Sequence, residues 1–103
     1  MNRKEFLQSE LINNPQDPFN QYLMALEYLK ENNRIEAITI FENIYNNSPN
    51  YLPVYYIYAL NLIELKSFKQ AYLIIEKGIQ LANKTNKVKI KNELSQLLDL
   101  YFD

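Results

Sequence analysis

The chain has 103 residues, of which 48% are hydrophobic and 14% aromatic, so it is too apolar to be disordered and fits one small domain. Eleven basic and twelve acidic side chains leave a net charge of −1, which argues against a general nucleic-acid binder. Cysteine and histidine are absent, which excludes thiol chemistry and removes the commonest general base and metal ligand. We therefore expect no catalytic residue, no metal site and no cofactor.

The most apolar tract, residues 52–65, contains Asn61 and Glu64 and is shorter than the roughly 18 residues that a membrane span needs. The N-terminus leads into a mixed polar helix and lacks the apolar core of a signal peptide. We expect a cytoplasmic protein that does not contact a membrane.

The first predicted helix covers residues 1–14. Residues 2–5 have the spacing of a capping box, in which two side chains satisfy the free backbone N–H groups of the first turn. The helix has to end before Pro15, because a residue that precedes proline is pushed out of the α region. Asp17 as N-cap and Pro18 as first helical residue then start the next helix.

Two helix–turn–helix repeats follow, over residues 18–49 and 52–83. The first helix of the first repeat is apolar on two faces, so it has to be covered from more than one direction. Capping boxes that begin at Asn33 and Ser67 are predicted to start the second helix of each repeat. Gly78 lies inside a helical pattern, where glycine costs about 1 kcal/mol relative to alanine. We expect a close backbone approach to the next helix at this position.

A final helix is predicted over residues 86–102, where apolar side chains recur at helical spacing. A small basic cluster near its start comprises Lys84, Lys87, Lys89 and Lys91. We interpret this cluster as a solvated face. Leu100 and Phe102 lie off the apolar stripe, and they belong either to a self-association patch or to a fraying terminus.

Several residues recur 34 positions later in the chain, most of them in corresponding places of the two repeats. The identical pairs at that offset are Asn13/Asn47, Pro15/Pro49, Tyr22/Tyr56, Ala25/Ala59, Leu26/Leu60, Ala37/Ala71, Ile40/Ile74 and Glu42/Glu76. A fixed period of this length is typical of stacked helical hairpins and matches the tetratricopeptide repeat (TPR). The four alanines are expected where paired helices approach most closely.

The chain resembles TPR proteins, and in particular the small stand-alone ones of bacteria. The residues that occupy the positions of the family pattern are Gln21, Met24, Ala25, Tyr28, Ala37, Phe41 and Pro49 in the first repeat, and Tyr55, Tyr58, Ala59, Leu62, Ala71 and Ile75 in the second. Gln21 departs from the pattern, because the family has tryptophan there. The resemblance implies an all-α fold, a TPR-type helical hairpin array (α-α superhelix) of about six helices. In this single domain, residues 1–103, a half-repeat comes first, two TPR repeats follow, and a capping helix ends the array.

The resemblance also implies a non-enzymatic module that binds a protein or peptide on a concave face, lined by the first helix of each repeat. The residues expected on that face are Phe19, Tyr22, Leu26, Leu29, Lys30, Tyr56, Leu60 and Ile63. The alternative is that these side chains pack a seam between the repeats and the N-terminal helix. The positions of the family's carboxylate clamp hold Tyr22 and Leu26, so an apolar or amphipathic partner helix suits the lining better. A second hypothesis is a structural module that self-assembles into homo-oligomers without a separate peptide ligand.

Four acidic residues could suggest paired catalytic carboxylates, but their spacings fit helix surfaces and a cap. These residues are Glu27, Glu31, Glu36 and Glu42.

Overall fold

The computed structural model of the protein describes residues 2–102 and contains six α-helices, with no β-strand in that range. The helices are α1 (Arg3–Asn13), α2 (Pro18–Lys30), α3 (Arg34–Asn47), α4 (Pro53–Glu64), α5 (Phe68–Lys84) and α6 (Val88–Tyr101). The predicted all-α fold and the number of helices are confirmed. The backbone divides into two compact parts, an N-terminal half (Met1–Tyr51) and a C-terminal half (Leu52–Asp103).

In the N-terminal half, α2 packs against both α1 and α3. The core of this half consists of Leu7, Met24, Ala25, Ala37, Phe41 and Ile44. Ala25 and Ala37 are both fully buried, as the sequence predicts for paired helices that approach closely. Small side chains at such positions let two helix backbones come close together, and larger ones would overpack the contact.

In the C-terminal half, α5 packs against both α4 and α6. The larger core here includes Val54, Tyr55, Tyr58, Ala59, Leu62, Ala71, Ile75, Leu94 and Leu97. Gly78 is closely approached, but by side chains of α6 and α4 and not by the backbone of the next helix as predicted. A Cβ atom at Gly78 would lie 2.8 Å from Leu94 Cδ1 and 3.1 Å from Tyr55 Cβ. The glycine therefore makes room for one residue of α6 and one of α4.

Three helices begin with the side-chain caps that the sequence predicts. The oxygen atoms of Asn2, Asp17 and Asn33 each accept a hydrogen bond from a backbone N–H of the first turn, at 2.8, 3.0 and 3.4 Å respectively. Each bond satisfies a donor that has no partner inside its helix, which fixes where α1, α2 and α3 start.

The capping box predicted at Ser67 is wrong. The side chain of Ser67 makes no capping hydrogen bond at the start of α5. Gln70, the residue expected to complete the box, donates through Nε2 to the hydroxyl of Tyr58 at 2.9 Å. A partner on α4 has therefore taken the side chain that the local pattern assigned to the cap.

The ends of α2, α4 and α5 share one backbone motif. Asn32, Lys66 and Asn86 adopt left-handed conformations, with φ of 60°, 62° and 59°. The N–H of the residue after each of them donates to a carbonyl oxygen five residues earlier, at 2.8 to 2.9 Å. This is the Schellman arrangement, which satisfies carbonyl groups at a helix end. It usually employs glycine, so a lysine in this conformation costs free energy.

None of the helices in residues 2–102 combines the length and the apolar character needed to cross a bilayer.

Candidate protein-binding surface

An apolar strip runs along α2 in the N-terminal half and consists of Phe19, Tyr22, Leu26 and Leu29. These residues are three or four positions apart, which places them on one side of a helix. Phe19 is 55% exposed, and the other three are partly buried. The cap at Asp17 sets the start of α2 and hence the side on which the strip lies.

Tyr22 is held within the strip by two other aromatic rings. Its ring centroid lies 6.5 Å from that of the fully buried Phe41 and 6.0 Å from that of Tyr51, which it meets edge to face. Burial raises the pKa of Tyr22. Burial also raises the pKa of Tyr51, and the nearby Tyr22 and Asp17 raise it further. The strip thus offers a partner one ring that is already fixed by packing, which lowers the entropy lost on binding.

Charged side chains from the start of α1 pair with charged side chains near the end of α2. Lys30 Nζ lies 3.0 Å from Glu27 Oε2, and Arg3 Nε lies 3.8 Å from Glu27 Oε1. Lys4 Nζ donates to Glu31 Oε1 at 3.1 Å, and this hydrogen bond raises the pKa of Lys4. Ion pairs that are open to solvent, as these are on at least one side, stabilise a fold only weakly. Their main effect here is that Lys30 already has an acidic neighbour.

In the C-terminal half, α4 carries the remaining residues expected to bind a partner. Tyr56 is 38% exposed and Leu60 is partly buried. Ile63 is only 6% exposed, so it offers a partner little surface. On α4, therefore, Tyr56 and Leu60 are the two predicted residues with apolar surface to contribute.

Sequence reasoning missed an aromatic groove in the C-terminal half. The groove has a volume of about 400 Å³ and is lined by Phe68, Lys69, Tyr72, Leu73 and Phe102. The ring of Phe102 meets those of Phe68 and Tyr72 edge to face, with centroid distances of 6.1 and 5.6 Å. Phe102 is thus packed against α5, whereas Leu100 is 73% exposed. The four-residue spacing of Phe68 and Tyr72 was one available signal, and the identity of Phe68 and Phe102 at the repeat offset of 34 was another.

The remaining predicted clusters lie at the surface. In the part of the chain that the structure describes, no group of three or more acidic, histidine or cysteine side chains is placed to hold a metal ion. Lys84, Lys87 and Lys89 are exposed, as are Glu36 and Glu42.

Comparison with known proteins places this fold in a class of helical repeats. The chain is similar to a tetratricopeptide repeat domain protein from Salinibacter ruber. The crystal structure of that protein has a TM-score of 0.74 and 30% sequence identity, and the match covers 79% of this chain and 90% of that chain. Its solution NMR structure gives a TM-score of 0.75 at 30% identity, covering 80% of this chain and 83% of that chain.

A family model covers much of the same sequence. Residues 1–78 match the model described as "Anaphase-promoting complex, cyclosome, subunit 3". No curated protein matches the chain. The chain belongs to the tetratricopeptide repeat proteins, and among them to the family of that model, which confirms the predicted resemblance.

Proposed function

We propose that the protein is a non-enzymatic adaptor that binds a peptide or a helix of a partner protein through the strip on α2 of the N-terminal half; the C-terminal half offers Tyr56 and Leu60 of α4 as contacts of its own. TPR-type folds generally mediate protein–protein interaction, and proteins of this family are generally non-catalytic scaffolds. The observation that carries the proposal is the 55% exposure of Phe19 beside a Tyr22 ring that is fixed by packing. The proposal places this adaptor in the bacterial cytoplasm.

The strip favours a partner segment with apolar side chains at regular spacing. Phe19, Tyr22, Leu26 and Leu29 span about three helical turns, a length that suits an amphipathic helix laid along α2. The charges at the end of the strip are of both signs and are paired with one another. The recognition we propose is therefore mainly apolar, and its salt dependence should be weak.

Selection of peptides from a random library on the wild-type protein tests this function. The informative variant is Phe19→Lys/Tyr56→Lys, because both side chains are exposed and their replacement spares the core. The matched control is Ile12→Lys/Val88→Lys, which makes the same chemical change at side chains that are 80% and 65% exposed and lie outside the strip.

We expect the selected peptides to carry apolar residues at helical spacing. Their affinity should fall about tenfold or more for Phe19→Lys/Tyr56→Lys, a loss typical of removing central contacts, and should stay within about twofold for the control. Equal affinities for the two variants would reject the strip as the binding surface, and failure to select any peptide would reject peptide binding.

The second candidate function, self-association, is favoured by the aromatic groove in the C-terminal half. Phe68, Tyr72 and Leu73 are 43%, 44% and 52% exposed, and apolar surface gathered in one place often marks an interface. Light scattering over a concentration series tests this function. A concentration-dependent dimer that Leu73→Lys returns to monomer would support it, whereas a monomer at every concentration would reject it.

A further inference from the structure

The N-terminal half contains a cleft that the α2 strip does not line. It has a volume of about 300 Å³ and is lined by Leu11 from α1, Gln21 and Met24 from α2, and Thr39, Ile40 and Asn43 from α3. Apolar side chains form most of its wall, and amides and a hydroxyl supply the polar groups. None of the residues that line it is charged. A pocket of this size and composition suits a small, neutral and mostly apolar group.

The two repeats differ in the side chain beside the cleft. Gln21 occupies the position that Tyr55 holds 34 residues later. Tyr55 is 3% exposed and lies against Gly78, whose equivalent in the first repeat is the fully buried Ile44. The first repeat thus places the larger side chain on α3 and the smaller one on α2. The cleft opens beside Gln21, where the second repeat carries the phenol ring of a tyrosine.

A chain of amides orients the polar groups of the cleft. Asn47 Nδ2 donates to Asn43 Oδ1 at 2.8 Å, Asn43 Nδ2 donates to Gln21 Oε1 at 3.2 Å, and Gln21 Nε2 donates to the carbonyl oxygen of Pro15 at 2.5 Å. Each amide oxygen of Asn43 and Gln21 is therefore used as an acceptor. Each of their NH₂ groups carries two hydrogens and uses one of them in this chain. One N–H of each of these two amides is consequently left for a further acceptor.

We propose that this cleft binds the side chain of a tyrosine from a partner polypeptide. Leu11 and Ile40 would contact the ring, and a thioether such as that of Met24 makes favourable contacts with aromatic rings. The phenol oxygen would accept hydrogen bonds from the remaining N–H groups of Gln21 and Asn43. Tyrosine fits this part of the fold, because it is the residue that the second repeat carries at the position of Gln21. It also matches in polarity, because the cleft combines apolar walls with donors and carries no charge.

Titration of the isotope-labelled full chain with N-acetyl-tyrosine amide, followed by NMR, tests this proposal. We expect saturable shifts, with a Kd on the order of 1 mM, at the methyl groups of Met24 and Ile40 and at the side-chain NH₂ groups of Gln21 and Asn43. N-acetyl-phenylalanine amide, which lacks the hydroxyl group, should bind at least about threefold more weakly, since the donors would be left unpaired. The absence of saturable shifts at these groups, or equal binding of the two amides, would overturn the proposal.

Variants provide a second test. Gln21→Tyr should fill the cleft from within and abolish binding, whereas Gln80→Tyr, the same change at an exposed position of α5, should not affect it. Thr39→Trp at the exposed rim covers the cleft without changing its floor, and it serves as the test if Gln21→Tyr does not fold. Undiminished binding by a folded variant at position 21 or 39 would overturn the proposal. The α2 strip is assayed separately, because Phe19→Lys does not alter any residue that lines the cleft.

Discussion

Replacing Gly78 by alanine sets two effects of opposite sign against each other. Alanine is favoured over glycine inside a helix by about 0.8–1.0 kcal/mol, so propensity alone predicts that the variant is more stable. The added Cβ would lie 2.8 Å from Leu94 Cδ1, 3.1 Å from Tyr55 Cβ and 3.2 Å from Tyr55 Cδ2. Overpacking of this kind costs about 1–3 kcal/mol.

The steric cost should exceed the gain in propensity, because neither neighbour is free to move. Tyr55 Cβ is attached directly to the backbone of α4, so the atom can shift only if the helix shifts. Leu94 Cδ1 ends a flexible side chain, but Leu94 is completely buried, so its packed neighbours would have to adjust to any shift. We therefore predict that Gly78→Ala lowers the free energy of unfolding by up to about 2 kcal/mol.

Urea denaturation followed by circular dichroism measures this change. The difference between Lys77→Ala and Lys77→Gly, at the exposed neighbouring position, gives the intrinsic preference of α5 for alanine over glycine. The double variant Gly78→Ala/Leu94→Val removes the atom nearest to the new Cβ, so it should lose less stability than the two single changes together. If Gly78→Ala instead stabilised the protein by as much as the Lys77 pair differs, the close contact would be refuted.

Three further predictions concern helix ends and tyrosine ionisation. In urea denaturation, Asp17→Ala should cost about 1 kcal/mol because it removes a cap, whereas Ser67→Ala should cost almost nothing; equal losses would contradict the caps described above. By the same measurement, Lys66→Gly should raise the free energy of unfolding by about 0.5–1 kcal/mol. Asn32→Gly should raise it less, because asparagine tolerates the left-handed conformation better. A lower free energy of unfolding for Lys66→Gly would contradict this. Burial raises the pKa of Tyr22, so its contribution to stability is complete below the unfolded-state pKa of about 10 and is lost as pH rises through the higher folded-state pKa. The free energy of unfolding, measured from about pH 9 to pH 11, should therefore fall less for Tyr22→Phe than for wild type, and identical slopes would refute this.

The helices were predictable because local signals mark their limits. Pro15 ended the first helix, and Asp17 and Pro18 started the second, by effects that act within a few residues. The prediction failed at Ser67. Gln70, which was expected to complete the capping box, instead donates a hydrogen bond to a residue of another helix. Local patterns do not contain that information.

Burial along the candidate strip was only partly predictable. The helical period predicts that Tyr22 and Leu26 share one side of α2, but it does not say how deeply each side chain is buried. Ile63 proved to be in the core and Tyr22 to be partly exposed, because burial depends on which other elements pack there. The aromatic groove was harder still to predict, since it brings Phe68, the first residue of α5, together with Phe102, which follows the end of α6.

Mapping a selected peptide onto the protein by NMR tests the proposed function most directly. Saturating peptide should change the resonances of Phe19, Tyr22 and Leu26 most, with further changes at Tyr56, and these changes should disappear in Phe19→Lys/Tyr56→Lys. Changes confined to the aromatic groove or to the lysines near the start of α6, with the α2 resonances unmoved, would contradict it.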